Sequence, residues 1–374
     1  SVAAIGSSTQ IGALSIGSAE NGGITLNGAI VTDGAVVIDG PVTLATGAVS
    51  VTTANDAITF NHSIDGGQAL TLVAGTAATA IQGEIGGSTA ISSLTITNGT
   101  ANGTIEITNI GGVTGATAIG NTNTATITLD GTAYTTTGTQ TYTAAAGQNI
   151  DITGAATFTT TNSNIGFATA GVDLANNGTT TINTGAGAGT VTFGAAIETN
   201  GGDNDLLVVT SGTGNVTFTG AIGATNELGG LSVNASSGDG DITFTSTIGD
   251  ADNAGVIGTT AVGNSTTADM DFGGAIYKFD GGTTFTAVSG GTMDMAAAVA
   301  FTTAADNIEF ATAGIALANG ANLTIDTAAG AGDITVGGAI TGDSVETVTI
   351  DAGTGTASVA AIGSSTQIGA LSIG

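Results

Sequence analysis

Val191-Thr-Phe-Gly-Ala-Ala-Ile197 is followed by Val216-Thr-Phe-Thr-Gly-Ala-Ile222 and then by Ile242-Thr-Phe-Thr-Ser-Thr-Ile248. The three blocks recur at a nearly constant interval, and each closes on an isoleucine six positions after its first apolar residue. Within a block, apolar residues alternate with threonine, the period of a half-buried strand. Between blocks lie stretches such as Ser211-Gly-Thr-Gly-Asn215 and Ser237-Gly-Asp-Gly-Asp241, whose residue types serve turns that need positive φ. A unit of about 24 residues built this way cannot bury its own apolar face; it becomes stable when the next unit stacks on it.

Two longer periods agree with that unit. The stretch 165–197 matches 308–340 at most of its positions, and the stretch 1–17 (SVAAIGSSTQIGALSIG) recurs unchanged at 358–374. Six units of about 24 residues fill the first period and fifteen fill the second. Helical periodicity is absent. The 71 threonines favour extended backbone because they are branched at Cβ. The expected fold is all-β: a single right-handed parallel β-helix, or β-solenoid, over residues 1–374, with about 24 residues per turn and about 15 to 16 turns. At ~4.8 Å per turn, the long period is roughly 70 Å in length.

Composition removes whole classes of function. The chain holds 64 Gly, 29 Asp or Glu, one Lys (Lys278), one His (His62) and no Arg, Cys or Trp, for a net charge of −28. Binding to nucleic acid or to an anionic membrane needs several cations, so neither is an expected partner. Without cysteine there is no disulfide, thiolate metal site or Cys nucleophile. Three tyrosines and no tryptophan cannot furnish the aromatic girdles of an outer-membrane barrel. No secretory signal is recognisable in this stretch. One His and one Lys, separated by more than half of the chain, give no catalytic constellation, and an enzyme is not expected.

Three groups of aspartates invite a metal reading: Asp203 with Asp205, Asp239 with Asp241, and Asp250 with Asp252. Such residues cap their own turns, and they also supply the hard oxygen ligands of Ca²⁺. The spacing fits neither an EF-hand nor a calcium-binding nonapeptide repeat, so turn formation and a Ca²⁺ site along one edge of the coil both stay open. His62 is expected to face solvent on a strand, and Pro41 to sit at a corner where it costs no ladder hydrogen bond. Tyr134, Tyr142 and Tyr277 are too scattered to form a stacking platform for sugars or bases. Runs such as Thr126-Ile-Thr128, Thr217-Phe-Thr219 and Thr243-Phe-Thr245 resemble ice-binding faces, but also the ordinary exterior of a solenoid. Sequons at Asn98, Asn102, Asn177, Asn215, Asn234 and Asn264 are expected from composition alone.

The blocks at Val191 and Val216, with Gly273-Gly-Ala-Ile276, resemble the Gly-, Thr- and Ala-rich β-strand repeats of very long bacterial surface proteins, among them filamentous-haemagglutinin-like adhesins and autotransporter passengers. The resemblance covers the whole chain. It implies export, an extracellular or cell-surface location, a right-handed parallel β-helix and an adhesive or fibrous role. Two functions follow as expectations: a structural unit of a fibre, with identical copies or tandem repeats stacked head to tail, or the stalk of a surface adhesin. The identical ends favour the fibre, since neither carries a recognisable cap.

Overall fold

Each apolar block pairs with the next at the register its sequence implies. In the computed structural model, Val191 lies beside Val216 and Val216 beside Ile242, while Phe193, Phe218 and Phe244 follow in the same order. Ile197, Ile222 and Ile248 bridge in parallel alongside them. Residues 1–6, 9–17, 22–100, 102–175, 177–201, 204–234 and 238–374 are described. Among them there is no helix, and the paired strands are parallel, stacked about 24 residues apart in about 15 turns. The fold is a β-solenoid, as the repeats predict. It falls into two compact units, Ser1–Asn176 and Asn177–Gly374.

In the first unit three columns of strands wind around one core. One runs through Val36–Asp39, Ile58–Phe60, Thr79–Ile85, Gly103–Val113, Thr124–Leu129 and Asn149–Ile152. A second passes through Val42–Leu44, Ile64–Asp65, Ala133–Thr136 and Thr157–Thr159. The third holds Val49–Thr53, Ala69–Val73, Ser93–Thr97, Thr117–Gly120, Gln140–Thr143 and Ile165–Ala168. Alternation sends every second side chain inward, so that Val49, Val51, Leu70, Leu72, Leu94 and Ile96 are fully buried or nearly so. Pro41 is exposed just before Val42–Leu44, and its carbonyl accepts from the Ile24 N–H.

The second unit repeats the plan. Phe193, Phe218, Phe244 and Phe272 form an interior stack with ring centroids 5.2, 5.0 and 5.7 Å apart, because parallel in-register strands place like residues directly over one another. The turn that contains residues 249–259 is longer than its neighbours; it adds a small bridged column of Leu228, Val256 and Phe279.

Structure extends the repeat of 165–197 at 308–340 beyond the stretch legible as identity. Tyr134 and Tyr277 each accept a hydrogen bond from the glycine N–H three residues earlier, Gly131 and Gly274, both at 3.0 Å. Asn121 and Asn264 each donate their N–H to the hydroxyl of a threonine three residues on. Within the stretch itself, Thr169 and Thr312 both take positive φ, 65° and 68°, and donate to carbonyls one turn back, those of Ala144 and Ala287.

The duplicated segment is seen from both sides. In its first copy Val2, Ile5 and Leu14 pair forward, with Leu26, Ile30 and Val36. In its second copy the same residues, Val359, Ile362 and Leu371, pair backward, with Val336, Ile340 and Val348. Leu371 and Ile373 are left 48% and 58% exposed, since no turn covers their far side.

Candidate functional site

The corners between strands hold nearly all the polar chemistry, and a recurrent device organises them. A parallel coil leaves backbone N–H groups at each corner without a ladder partner, and an acceptor side chain from an adjacent turn meets them. Asp65 Oδ1 accepts from the N–H groups of Ser88 and Thr89 at 2.8 and 3.0 Å. Asn109 Oδ1 does the same for Thr132 and Ala133, and Glu198 Oε2 for Thr225 and Asn226. Asp269 caps Thr292, Asn322 caps Thr347 and Asp333 caps Thr356. Carboxylates and amide oxygens can fill this role; lysine and arginine, which only donate, cannot. The device accounts for carboxylates at corners that have no cationic partner.

The aspartates expected as Ca²⁺ ligands divide among these corners rather than following one edge. Asp203 lies outside the described residues. Asp205 is buried, ahead of the strand Leu206–Thr210, and accepts the Gly178 N–H at 3.2 Å. Asp239 and Asp241 precede Ile242–Phe244, a different column. Asp241 exchanges hydrogen bonds with Asn215 one turn earlier, and the Asp239 N–H donates to the Gly212 carbonyl. Asp250 and Asp252 share a third corner, after Ile248. There Asp250 Oδ1 accepts the N–H groups of Asp252 and Asn253 at 2.8 and 2.7 Å. Those bonds from Asn253 and Asp252, with the Lys278 ammonium, hold the Asp250 carboxyl below the usual carboxylate range. The described aspartates of this set thus sit at three separate corners rather than along one stacked edge. Among the described residues no three His, Asp or Glu side chains are grouped to hold a metal.

Lys278 donates to the Ala251 carbonyl at 3.0 Å and borders a surface hollow of about 390 Å³ with Glu227, Asp252, Asp280 and Asp326. A second hollow of about 460 Å³ is lined by Asn183, Thr210, Asp239, Thr266 and the backbone of Gly185 and Gly212. His62 is not on a strand as expected. It occupies the bend between Ile58–Phe60 and Ile64–Asp65, with Nε2 3.5 Å from Asp39 Oδ1.

The tyrosines lie in the interior, where no ligand can stack on them. All three are fully buried. Tyr134 stacks on Phe158 and Tyr142 on Phe167, with centroids 4.8 and 5.2 Å apart, and the two tyrosines meet edge to face. The Tyr142 hydroxyl donates to Gln140 Oε1, whose amide in turn donates to the carbonyls of Tyr134 and Thr159. Burial pushes the Tyr134, Tyr142 and Tyr277 phenols well up from their ordinary value.

Two sequons are closed to modification, since Asn98 and Asn234 are fully buried and hydrogen-bonded. Sequence reasoning missed Glu346, whose buried side chain accepts the N–H groups of Gly320, Asp343 and Val345. Gly320 lies a full turn away in sequence, so no local motif betrays the contact. The chain matches no protein-family model, no curated protein and no solved structure.

Proposed function

We propose that the chain is a structural, non-enzymatic repeat unit of an extracellular or cell-surface fibre, in which copies continue one another head to tail. The observation that carries this reading is the duplicated segment. One copy shows how it receives the following turn and the other how it sits on the preceding turn, with the same residues inward in both. Superposing the copies yields a complete internal turn, with Val336, Val2 and Leu26 in one column and Val348, Leu14 and Val36 in another. A junction made this way reproduces the stack inside each unit and needs no dedicated interface. The surface location rests on the resemblance to bacterial β-strand repeats.

Electron microscopy of a protein carrying two or more tandem copies of the 1–357 period tests the reading. Unbranched rods lengthening by roughly 70 Å per added period support it. Rods that break or fold back at each period boundary sink it and leave the adhesin stalk, with one copy beside a distinct binding domain.

A further inference from the structure

Two equivalent glycines of the duplicated segment have opposite surroundings. Gly12 and Gly369 hold the same place in its two copies, two residues ahead of Leu14 and Leu371. At Gly12 an added Cβ would meet nothing within 4 Å among the described residues. At Gly369 it would lie 2.9 Å from the Val345 carbonyl carbon, 3.0 Å from its oxygen and 3.1 Å from the Glu346 carbonyl oxygen, and backbone atoms of a hydrogen-bonded turn cannot swing aside. Neither glycine takes a positive φ, so alanine suits the backbone of both. Gly6 and Gly363 differ: at φ of 70° and 63° they serve their own turn.

The close approach at Gly369 belongs to a corner held by hydrogen bonds. The Glu346 carbonyl accepts the N–H groups of Gly369 and Ala370 at 2.8 and 3.1 Å, and the Gln367 carbonyl accepts from Ser344 at 2.8 Å. The Glu346 carboxylate fastens the corner from within, accepting from Asp343 and Val345, and ties it to Gly320 one turn back. A Cβ at position 369 drives the two backbones apart and lengthens these bonds. The same approach recurs at Gly34, two residues ahead of Val36, where a Cβ would lie 2.7 Å from the Ala13 nitrogen and 3.1 Å from the Gly12 carbonyl carbon. Glycine at this place therefore serves contact with the preceding turn, a contact that Gly12 does not make within its own copy.

We propose that Gly12 is the specificity-determining residue of the head-to-tail junction, admitting segment 1–17 of one copy onto the Val345–Glu346 corner of the copy before it. The inference rests on the fibre reading above and adds to it the segment recognised and the position that decides the fit. A side chain larger than hydrogen at position 12 leaves a single copy undisturbed and closes the junction.

A synthetic peptide of residues 1–17, labelled at its amino end, tests this by fluorescence anisotropy. It is titrated against the single-period chain 1–357 and against 1–374, in which 358–374 already sits on the corner. The peptide is expected to bind 1–357 and not 1–374. Its Gly12→Ala form should bind 1–357 at least about tenfold more weakly, and its Ser15→Ala form, changed at an exposed position, as well as the parent. Gly12→Ala within 1–357 should leave Tm and the circular dichroism spectrum unchanged. Equal affinity of the parent and Gly12→Ala peptides, equal binding to 1–357 and 1–374, no binding to 1–357, or a lowered Tm of the Gly12→Ala chain would overturn the inference. Failure of the fibre reading shows separately, as tandem rods broken at the period boundary while the peptide still distinguishes glycine from alanine.

Discussion

Phe218 lies flat on Phe244 one turn away, ring centroids 5.0 Å apart and planes within 5° of parallel. Both rings are about 1% exposed, so each turn covers the aromatic face of the next. Because a solenoid is held by nearest-neighbour contacts, loss of one ring weakens two interfaces at once. Phe218→Ala is expected to cost about 3–5 kcal/mol in chemical denaturation, and Thr217→Ala, on the outer face, less than about 0.5 kcal/mol. Equal effects would contradict the stacking assigned to the core.

Thr117 turns a hydroxyl into the core, where Oγ1 has no hydrogen-bond partner; Thr260, at the corresponding position of the internal repeat, does the same. Valine has the same shape without the buried polar group. Thr117→Val should stabilise the protein by about 1 kcal/mol, measured as a higher denaturation midpoint. A lower midpoint would show that the hydroxyl is satisfied.

Asp294 pairs in register with Asp271 on the neighbouring strand. Burial, and then the nearby charges of Asp271 and Asp269, raise its carboxyl above the ordinary aspartate value, against the lowering effect of the Thr292 hydroxyl bond. The folded state thus holds this proton more tightly than the unfolded chain. The stabilisation is present below the ordinary aspartate range and is lost as pH rises through the raised value. Asp294→Asn should therefore raise Tm at pH 7 and lose that advantage at pH 3. A variant less stable than the parent at pH 7 would contradict the assignment.

All three tyrosines of the chain are buried with raised phenol values, so the folded protein should show no tyrosinate absorbance at 295 nm at pH 11. The unfolded chain ionises near pH 10, and stability falls above that pH. Absorbance and loss of β-structure should therefore rise together. Tyrosinate appearing near pH 10 with the fold intact would place the phenols in solvent.

Much of this was legible in the chain itself. The recurrence at Val191, Val216 and Ile242 gave strand type, register and turn length together, because a parallel coil turns sequence period directly into spatial neighbours. The tyrosines were not legible. Tyr134 and Tyr142 stand among threonines and Gln140, and a local reading places such polar runs outside; only the interior network shows Gln140 facing in. The corner caps escaped for another reason: Asp65 and Glu198 meet their donors a full turn further along the chain, beyond any local motif. The same distance hid the separate corners of Asp205 and Asp241, whose partners Gly178 and Asn215 lie a turn away.

The central claim, continuation head to tail, can be trapped covalently because the protein has no cysteine of its own. Thr349 pairs with Ser372, and Ser15 is the same residue in the first copy of the duplicated segment. A single-period chain of residues 1–357 carrying Ser15→Cys and Thr349→Cys brings the two thiols together only when Ser15 of one molecule takes the place of Ser372 on the next. Neighbouring parallel strands hold paired Cα atoms within disulfide range. Oxidation should yield a ladder of dimers, trimers and longer multimers on a non-reducing gel, collapsed by reductant and missing from each single-cysteine variant beyond the dimer. A folded double variant that stays a monomer under oxidation would contradict the account.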